Sequence, residues 1–321
     1  MVVVKSEVID SQYLKNNPLN DPPSRKVYTL EVNPSSSPTL IIYLSGFLSS
    51  SISLLNYDPL VENFDQKLTR LSKEGKIDNM VVLLPDTFTS VGGNQYINSS
   101  AVGLYEDFIV RELIPYFKEK YHAQNVVLMG KSSGGYGAMV LGMKYPNIIS
   151  GIVNHSGDAY FEYIYIPMFP KVLKHLRKFS SPKEWLKHFW ERSDRKRKDL
   201  LDTLTLVAMS AFYSPQDTDI LLPFELETGE INYNIWNMWL EKDPVRIVDK
   251  MYDNLRNLKL LYIDVGNKDE FKLDIGLRIL HEKLNKHSVN HFYEEYDGGH
   301  FNMSFRYDIS LSLVSRVFNN K

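Results

Sequence analysis

Two short stretches carry the residue types that nucleophilic catalysis needs: Gly130-Lys131-Ser132-Ser133-Gly134, and Asp297-Gly298-Gly299-His300-Phe301 near the carboxyl end. A serine with glycines two positions before and after it fits a tight strand-to-helix turn that lifts its hydroxyl above a sheet. Gly130 and Gly134 suit a turn where neighbouring backbone comes too close for side chains. Gly135, Gly137 and Ala138 would let the following helix pack on the sheet. Such a turn leaves the Ser133 amide at a helix N-terminus, able to donate to a developing oxyanion. The plainer reading is a glycine-rich turn with an incidental serine, and the surrounding pattern argues against it.

A serine nucleophile needs a base, and the chain has eight histidines. In alternating strand–helix chains with such a turn, the order is serine, acid, histidine, with the histidine after the last strand. Only His300 lies there, on a glycine-rich loop that could reach back to Ser132. His281, His287 and His291 fall on a predicted helix and its exit, and His122, His175 and His188 on charged helical faces, where surface histidine is the better reading. His155 follows the strand next to the serine turn and stands second. For the acid, the strand-like run 260–265 ends in Asp264-Val265-Gly266-Asn267-Lys268-Asp269-Glu270-Phe271. Asp269 is favoured because it lies in the loop beyond the strand, where the active site of an open sheet gathers. Asp264 lies inside the strand, and Glu270 and Asp158 are weaker candidates. A second oxyanion donor is expected after the strand 39–44, in Ser45-Gly46-Phe47, with the Phe47 amide as the candidate.

Strands and helices must hold these groups. Runs at 25–32, 39–44, 80–84, 125–129, 148–154, 259–265 and 290–296 read as strands, several apolar enough to be buried on both faces. Residues 1–10 alternate as an edge strand would and lack the apolar stretch of a signal peptide. Helical spacing recurs over 101–121, where Pro115 should kink or restart the helix, and over 133–145, 273–286 and 302–318. The alternation implies a mostly parallel twisted sheet with helices on both faces. It breaks between about Ala159 and Pro244, where no convincing strand occurs. The expected organisation is therefore a core over 1–158 and 245–321, interrupted by a helical cap over 159–244.

Composition bounds the rest. The 37 Lys and Arg against 39 Asp and Glu give no reason to expect nucleic acid. With no cysteine, disulfides, cysteine metal sites and a thiol nucleophile are excluded. No apolar run approaches the roughly 18 residues that would span a bilayer. The expectation is a cytoplasmic protein without stable membrane insertion, and a homo-oligomer is left open.

Several stretches resemble the putative-esterase family of α/β-hydrolases, which includes S-formylglutathione hydrolase, enterochelin esterases, feruloyl esterases and mycolyltransferases. They are Leu44-Ser45-Gly46-Phe47, the run 103–116 with Glu112-Leu113-Ile114-Pro115, Gly130 to Ala138, Ile263 to Phe271, and Gly298-Gly299-His300. The resemblance implies an α/β-hydrolase fold. It maps the oxyanion donors onto the Phe47 and Ser133 amides and the catalytic acid onto Asp269. Departures are Ser45, where many members carry histidine or aspartate, and the long insertion.

Within the insertion, 171–198 holds 11 Lys or Arg against Glu184, Glu191 and Asp194, with Trp185, Leu186, Phe189 and Trp190 on an apolar side. This reads as a cap helix packed by its aromatics, with an entrance for anionic substrates or an interfacial helix as sharper readings. Trp236, Met238, Trp239 and Leu240 could line an acyl pocket, although core packing is the simpler role. The whole pattern predicts attack by Ser132 on a carboxylic ester or thioester of small-molecule size, with no metal or organic cofactor. Acyl transfer to an alcohol would use the same groups. A non-catalytic binding scaffold is the reading from another class, and the complete Ser132, Asp269 and His300 set argues against it.

Overall fold

The computed structural model describes residues 2–319, so the outermost residues of the two core segments lie outside the description. Its centre is an eight-stranded sheet: β1 (Val3–Asp10), β2 (Ser24–Val32), β3 (Thr39–Leu44), β4 (Met80–Pro85), β5 (Val126–Lys131), β6 (Gly151–His155), β7 (Leu260–Gly266) and β8 (Phe292–Tyr296), in the spatial order β1-β2-β4-β3-β5-β6-β7-β8. The β1–β2 and β2–β4 pairs are antiparallel and all others parallel. β1 is the expected edge strand.

Strand residues alternate between two apolar layers, as period-2 geometry requires. On one face Ile41, Tyr43, Val82, Val127 and Val153 pack with α1 (Phe64–Lys73), and the late helix Arg306–Asn319 covers the same face. On the other, Leu40, Ile42, Leu44, Val126, Leu128 and Ile263 meet the remaining helices. The first of these, α2, runs over 105–121, shorter at its start than the spacing suggested because residues 98–104 form a small antiparallel pair. Pro115 restarts it as expected: a π turn, Phe108–Leu113, precedes the proline and carries the Ile114 amide to the Ile109 carbonyl. That wider turn accommodates a residue that cannot donate. α3 (Ser133–Lys144) follows β5 directly.

Between β6 and β7 come α4 (Phe161–Tyr165), α5 (Phe169–Leu176), α6 (Pro182–Glu191), α7 (Lys198–Tyr213), α8 (Tyr233–Leu240) and α9 (Pro244–Leu255). The sequence suggested no strand here, and the structure has a two-residue pair, Pro215–Gln216 with Asp219–Ile220, turned at Asp217 in a left-handed conformation. The basic stretch 171–198 covers most of α5, all of α6 and a non-helical segment over 192–197 that leads into α7. Trp185, Leu186 and Phe189 are buried, and Trp236 and Trp239 are in the core. Phe161, Phe212, Tyr213 and Trp239 belong to the same apolar cluster as the sheet face, so this region shares a core with the sheet. α10 (Leu273–Lys286) and α11 (Arg306–Asn319) complete the chain. No helix among the described residues is long and apolar enough to cross a membrane.

A polar knot lies inside this framework. Asp264 on β7 accepts from Tyr262 Oη and Arg306 Nε, both at 2.8 Å, and pairs with His155 Nδ1 at 2.6 Å, while His155 Nε2 meets Ser310 Oγ at 3.0 Å. Burial alone would raise the Asp264 pKa, but His155 and Arg306 outweigh it and hold the group below the usual aspartate value. A depressed carboxylate stabilises the fold above its unfolded-state pKa and loses that contribution as pH falls through the folded-state value. Asp264→Ala should therefore lower unfolding free energy at pH 7 by about 3–5 kcal/mol, because His155 and Arg306 lose a buried partner. Urea denaturation measures the change, which should shrink as the comparison is moved to acid pH.

Candidate active site

The segments beyond the carboxyl ends of the parallel strands carry Phe47, Ser132, Ser133, Asp158, Asp269, Glu270 and His300, whereas His155 and Asp264 lie within strands. β5 ends at Lys131 and α3 begins at Ser133, so Ser132 alone makes the turn, with φ 57° and ψ −125°. A non-glycine residue there is strained by about 1–3 kcal/mol and must be held by its surroundings. The Ser132 amide donates to the His155 carbonyl at 2.9 Å, and its carbonyl accepts from Tyr136. The backbone is packed so closely that a Cβ on Gly134 would lie 1.8 Å from the Leu44 carbonyl oxygen. That contact presses the start of α3 onto the end of β3, the strand that leads into Ser45-Gly46-Phe47.

Opposite Ser132, two loops meet. The loop after β7 carries Asp269, and the loop after β8 carries His300. They are joined by backbone bonds from Asn267 N to the Tyr296 carbonyl and from Lys268 N to the Gly298 carbonyl, both at 2.9 Å. Asp269 Oδ2 lies 2.8 Å from His300 Nδ1, and Asp269 Oδ1 accepts from the Phe271 amide at 2.8 Å. Both side chains are buried. Glu270 is not the histidine's side-chain partner; its Oε2 accepts from the His300 backbone amide at 2.6 Å and so fixes the loop. Phe271 and Phe301 stand edge-on to the imidazole, and both are substantially exposed. With Nδ1 engaged by Asp269, His300 Nε2 has no hydrogen-bond partner among the described residues. Ser132 Oγ also has none, so the serine–imidazole bond is open in this conformation; such bonds commonly tighten only around substrate.

His155, the second candidate base, is the last residue of β6 and fully buried in the Asp264 knot. Its ring faces away from this edge because strand side chains alternate. Asp158 does not reach His300 by hydrogen bond; its Oδ2 accepts from Ser133 Oγ and Tyr165 Oη, each at 3.3 Å. Lys131 is half-buried beneath the Phe301 ring. Burial lowers its pKa, against the pull of Asp269 and Glu270.

Sequence reasoning missed the loop after β4. Thr87, Thr89, Asn94 and Gln95 are buried, Tyr96 Oη donates to the Ser45 carbonyl at 2.7 Å, and Gln95 Nε2 donates to Ser133 Oγ at 2.6 Å. The Phe47 ring lies against Gly92 and Gly93. A polar loop with paired glycines directly after a buried strand was the available signal. No described protein group accepts from the Phe47 amide, and Ser133, as first residue of α3, has no acceptor within its helix.

A strained serine at a β5–α3 turn, with a buried aspartate–histidine pair on neighbouring loops of a mostly parallel sheet, defines an α/β-hydrolase fold. Residues 23–313 match the model of the putative esterase family, and the chain belongs to that family of ester-hydrolysing enzymes. No curated protein matches it by sequence. Among solved structures it is similar to a ferulic acid esterase at 17% identity and TM-score 0.60, with 99% of each chain covered. A fluorophosphonate-binding serine hydrolase, FphF, of Staphylococcus aureus is 14% identical at TM-score 0.57, covering 100% of this chain and 99% of the other. An S-formylglutathione hydrolase of Agrobacterium tumefaciens is 15% identical at TM-score 0.52, covering 98% and 94%.

Gly266 ends β7 at the junction of the two loops, where an added Cβ would lie 2.3 Å from the Gly298 carbonyl oxygen. Gly266→Ala should push the Asp269 and His300 loops apart. Its esterase activity should fall by about 100-fold, the scale of a 1 Å misplacement, as read by kcat/KM on any ester the parent enzyme accepts.

Proposed function

We propose that the protein is a serine esterase hydrolysing carboxylic esters or thioesters through an acyl-enzyme on Ser132. The observation that carries this reading is the buried Asp269–His300 pair, 2.8 Å long, on loops beside a serine held at positive φ. Asp269 takes the Nδ1 proton of His300 as a hydrogen bond, which leaves Nε2 as the basic nitrogen. Ser132 Oγ attacks the acyl carbon while its proton passes to Nε2. The carbonyl oxygen becomes an oxyanion facing the Phe47 and Ser133 amides. Collapse breaks the bond to the leaving alkoxide or thiolate, which takes the proton from His300. Water then attacks the acyl-enzyme with His300 again as base, and Ser132 is regenerated.

Residues 159–244 act as a cap that shapes the acyl and leaving-group sites, a role supported by Tyr165 and Tyr213 reaching residues beside Ser133. Its basic helices carry their charges on the outer surface.

Turnover of p-nitrophenyl esters of increasing acyl length should appear in the parent enzyme and fall by about a thousandfold or more in Ser132→Ala. Asp269→Asn should lower kcat by roughly 100- to 10,000-fold with a smaller change in KM, since it removes the group that orients the imidazole. Absence of turnover at every acyl length would sink the proposal. Product formation that rises sharply with added alcohol would instead assign acyl transfer.

A further inference from the structure

Among the described residues six carboxylates are buried: Glu31, Glu106, Asp158, Asp243, Asp264 and Asp269. Five have a basic partner. Glu31 pairs with Lys5 and Glu106 with Lys144; Asp243 pairs with Arg246, Asp264 with Arg306 and His155, and Asp269 with His300. Asp243 also receives the amides of Tyr160, Phe161 and Val245, so both its oxygens are engaged. Asp158 differs. It is 7% exposed, yet no Lys, Arg or His among the described residues pairs with it, and its two hydrogen bonds are long and fall on the same oxygen, Oδ2. No hydrogen bond among the described residues falls on Oδ1. A buried carboxylate so weakly paired is costly unless something else supplies the missing partner.

The groups around it are arranged as donors. Tyr213 Oη donates to Gln95 Oε1 at 3.1 Å, and Gln95 Nε2 donates to Ser133 Oγ, which leaves the Ser133 proton for Asp158. Tyr165 Oη donates to the same oxygen from the other side. Each hydroxyl and amide in the chain thus points its proton toward Asp158, and the chain ends on a carboxylate bonded to the residue next to Ser132. Asp158 lies three residues past the end of β6, at the carboxyl edge of the sheet from which the His300 loop also rises.

We infer that Asp158 is a substrate-recognition group whose free Oδ1 receives an ammonium on the acyl part of the substrate, so that the enzyme prefers esters of amino-substituted acids. This rests on the esterase reading and adds a substrate class to it. An ammonium fits better than a neutral donor because a basic partner is what the other five buried carboxylates have and this one lacks. Burial raises the Asp158 pKa to about 6, with His300, Tyr165 and Ser133 opposing and Asp269 adding to the rise. Above that pH the group is ionised and attracts a cation; below it the attraction is lost.

The test uses p-nitrophenyl esters whose acyl chains, graded in length, end in either an ammonium or a methyl group, assayed with the full chain. At pH 8 the ratio of kcat/KM for the ammonium ester to that for the methyl ester should reach about 10 to 100, the scale of one charge-assisted hydrogen bond. In Asp158→Asn it should fall toward one. A ratio at or below one across the series in the parent enzyme, or a high ratio retained in Asp158→Asn, would overturn the assignment. Should that variant fail to fold, the parent enzyme decides: taking the ratio cancels any pH effect common to both esters, so the preference must weaken between pH 8 and pH 5. A ratio unchanged over that range counts against Asp158. No turnover of either series would sink the esterase proposal itself, a separate failure.

Discussion

The structure turns on a backbone collision avoided at Gly134. The start of α3 is pressed against the Leu44 carbonyl so tightly that no side chain could stand there, and the chain between β5 and α3 has only Ser132 with which to make its turn. Because the turn is that short, Ser132 takes a conformation most residues avoid, and its side chain has nowhere to go but above the sheet edge. Positive φ recurs in the neighbouring loops at Leu48, Tyr96, Ser156 and Asn302. Strain of this kind persists only where packing over-determines it, and here the two apolar layers of the sheet supply that packing.

Two of the buried polar systems contrast sharply. Asp264, His155, Tyr262, Arg306 and Ser310 form a set in which each charge has its partner, Arg306 also reaching Glu294 on β8, and this set ties α11 to β6, β7 and β8. Asp269 and His300 form the other. There one imidazole nitrogen is satisfied and the second is left open, so a pair that would otherwise only stabilise the fold has an unspent basic site. The contrast follows from position along β7: Asp264 lies within the strand under α11, and Asp269 lies in the loop beyond its end, where backbone amides can orient it.

Much of this was legible in the sequence because it depends on local pattern. The apolar runs that became β3, β4, β5 and β7 have no other low-energy placement than a sheet buried on both faces, and the glycine spacing around Ser132 is demanded by close approach. The choice of Asp269 over Asp264 could be argued from one fact, that side chains inside a strand and beyond its end face different surroundings. The loop over 87–97 was visible only as a polar, glycine-paired segment after a buried strand, without a role at the site. Its buried Asn94, Gln95 and Tyr96 look like an ordinary polar turn, and only their three-dimensional contacts with Ser45 and Ser133 give them a place at the site. The π turn before Pro115 likewise has no one-dimensional signature. The residues between β6 and β7 yielded their helices and their buried aromatics, but not the fact that they share one core with the sheet.

The central claim is that Ser132 is a nucleophile made reactive by His300. Mass mapping of the protein after exposure to a fluorophosphonate tests it most directly, since that reagent phosphonylates an activated serine hydroxyl with loss of fluoride. The account predicts one adduct, on the peptide containing Ser132, formed far more slowly in His300→Ala. An adduct confined to another residue, or labelling of Ser132 at the same rate without His300, would contradict it.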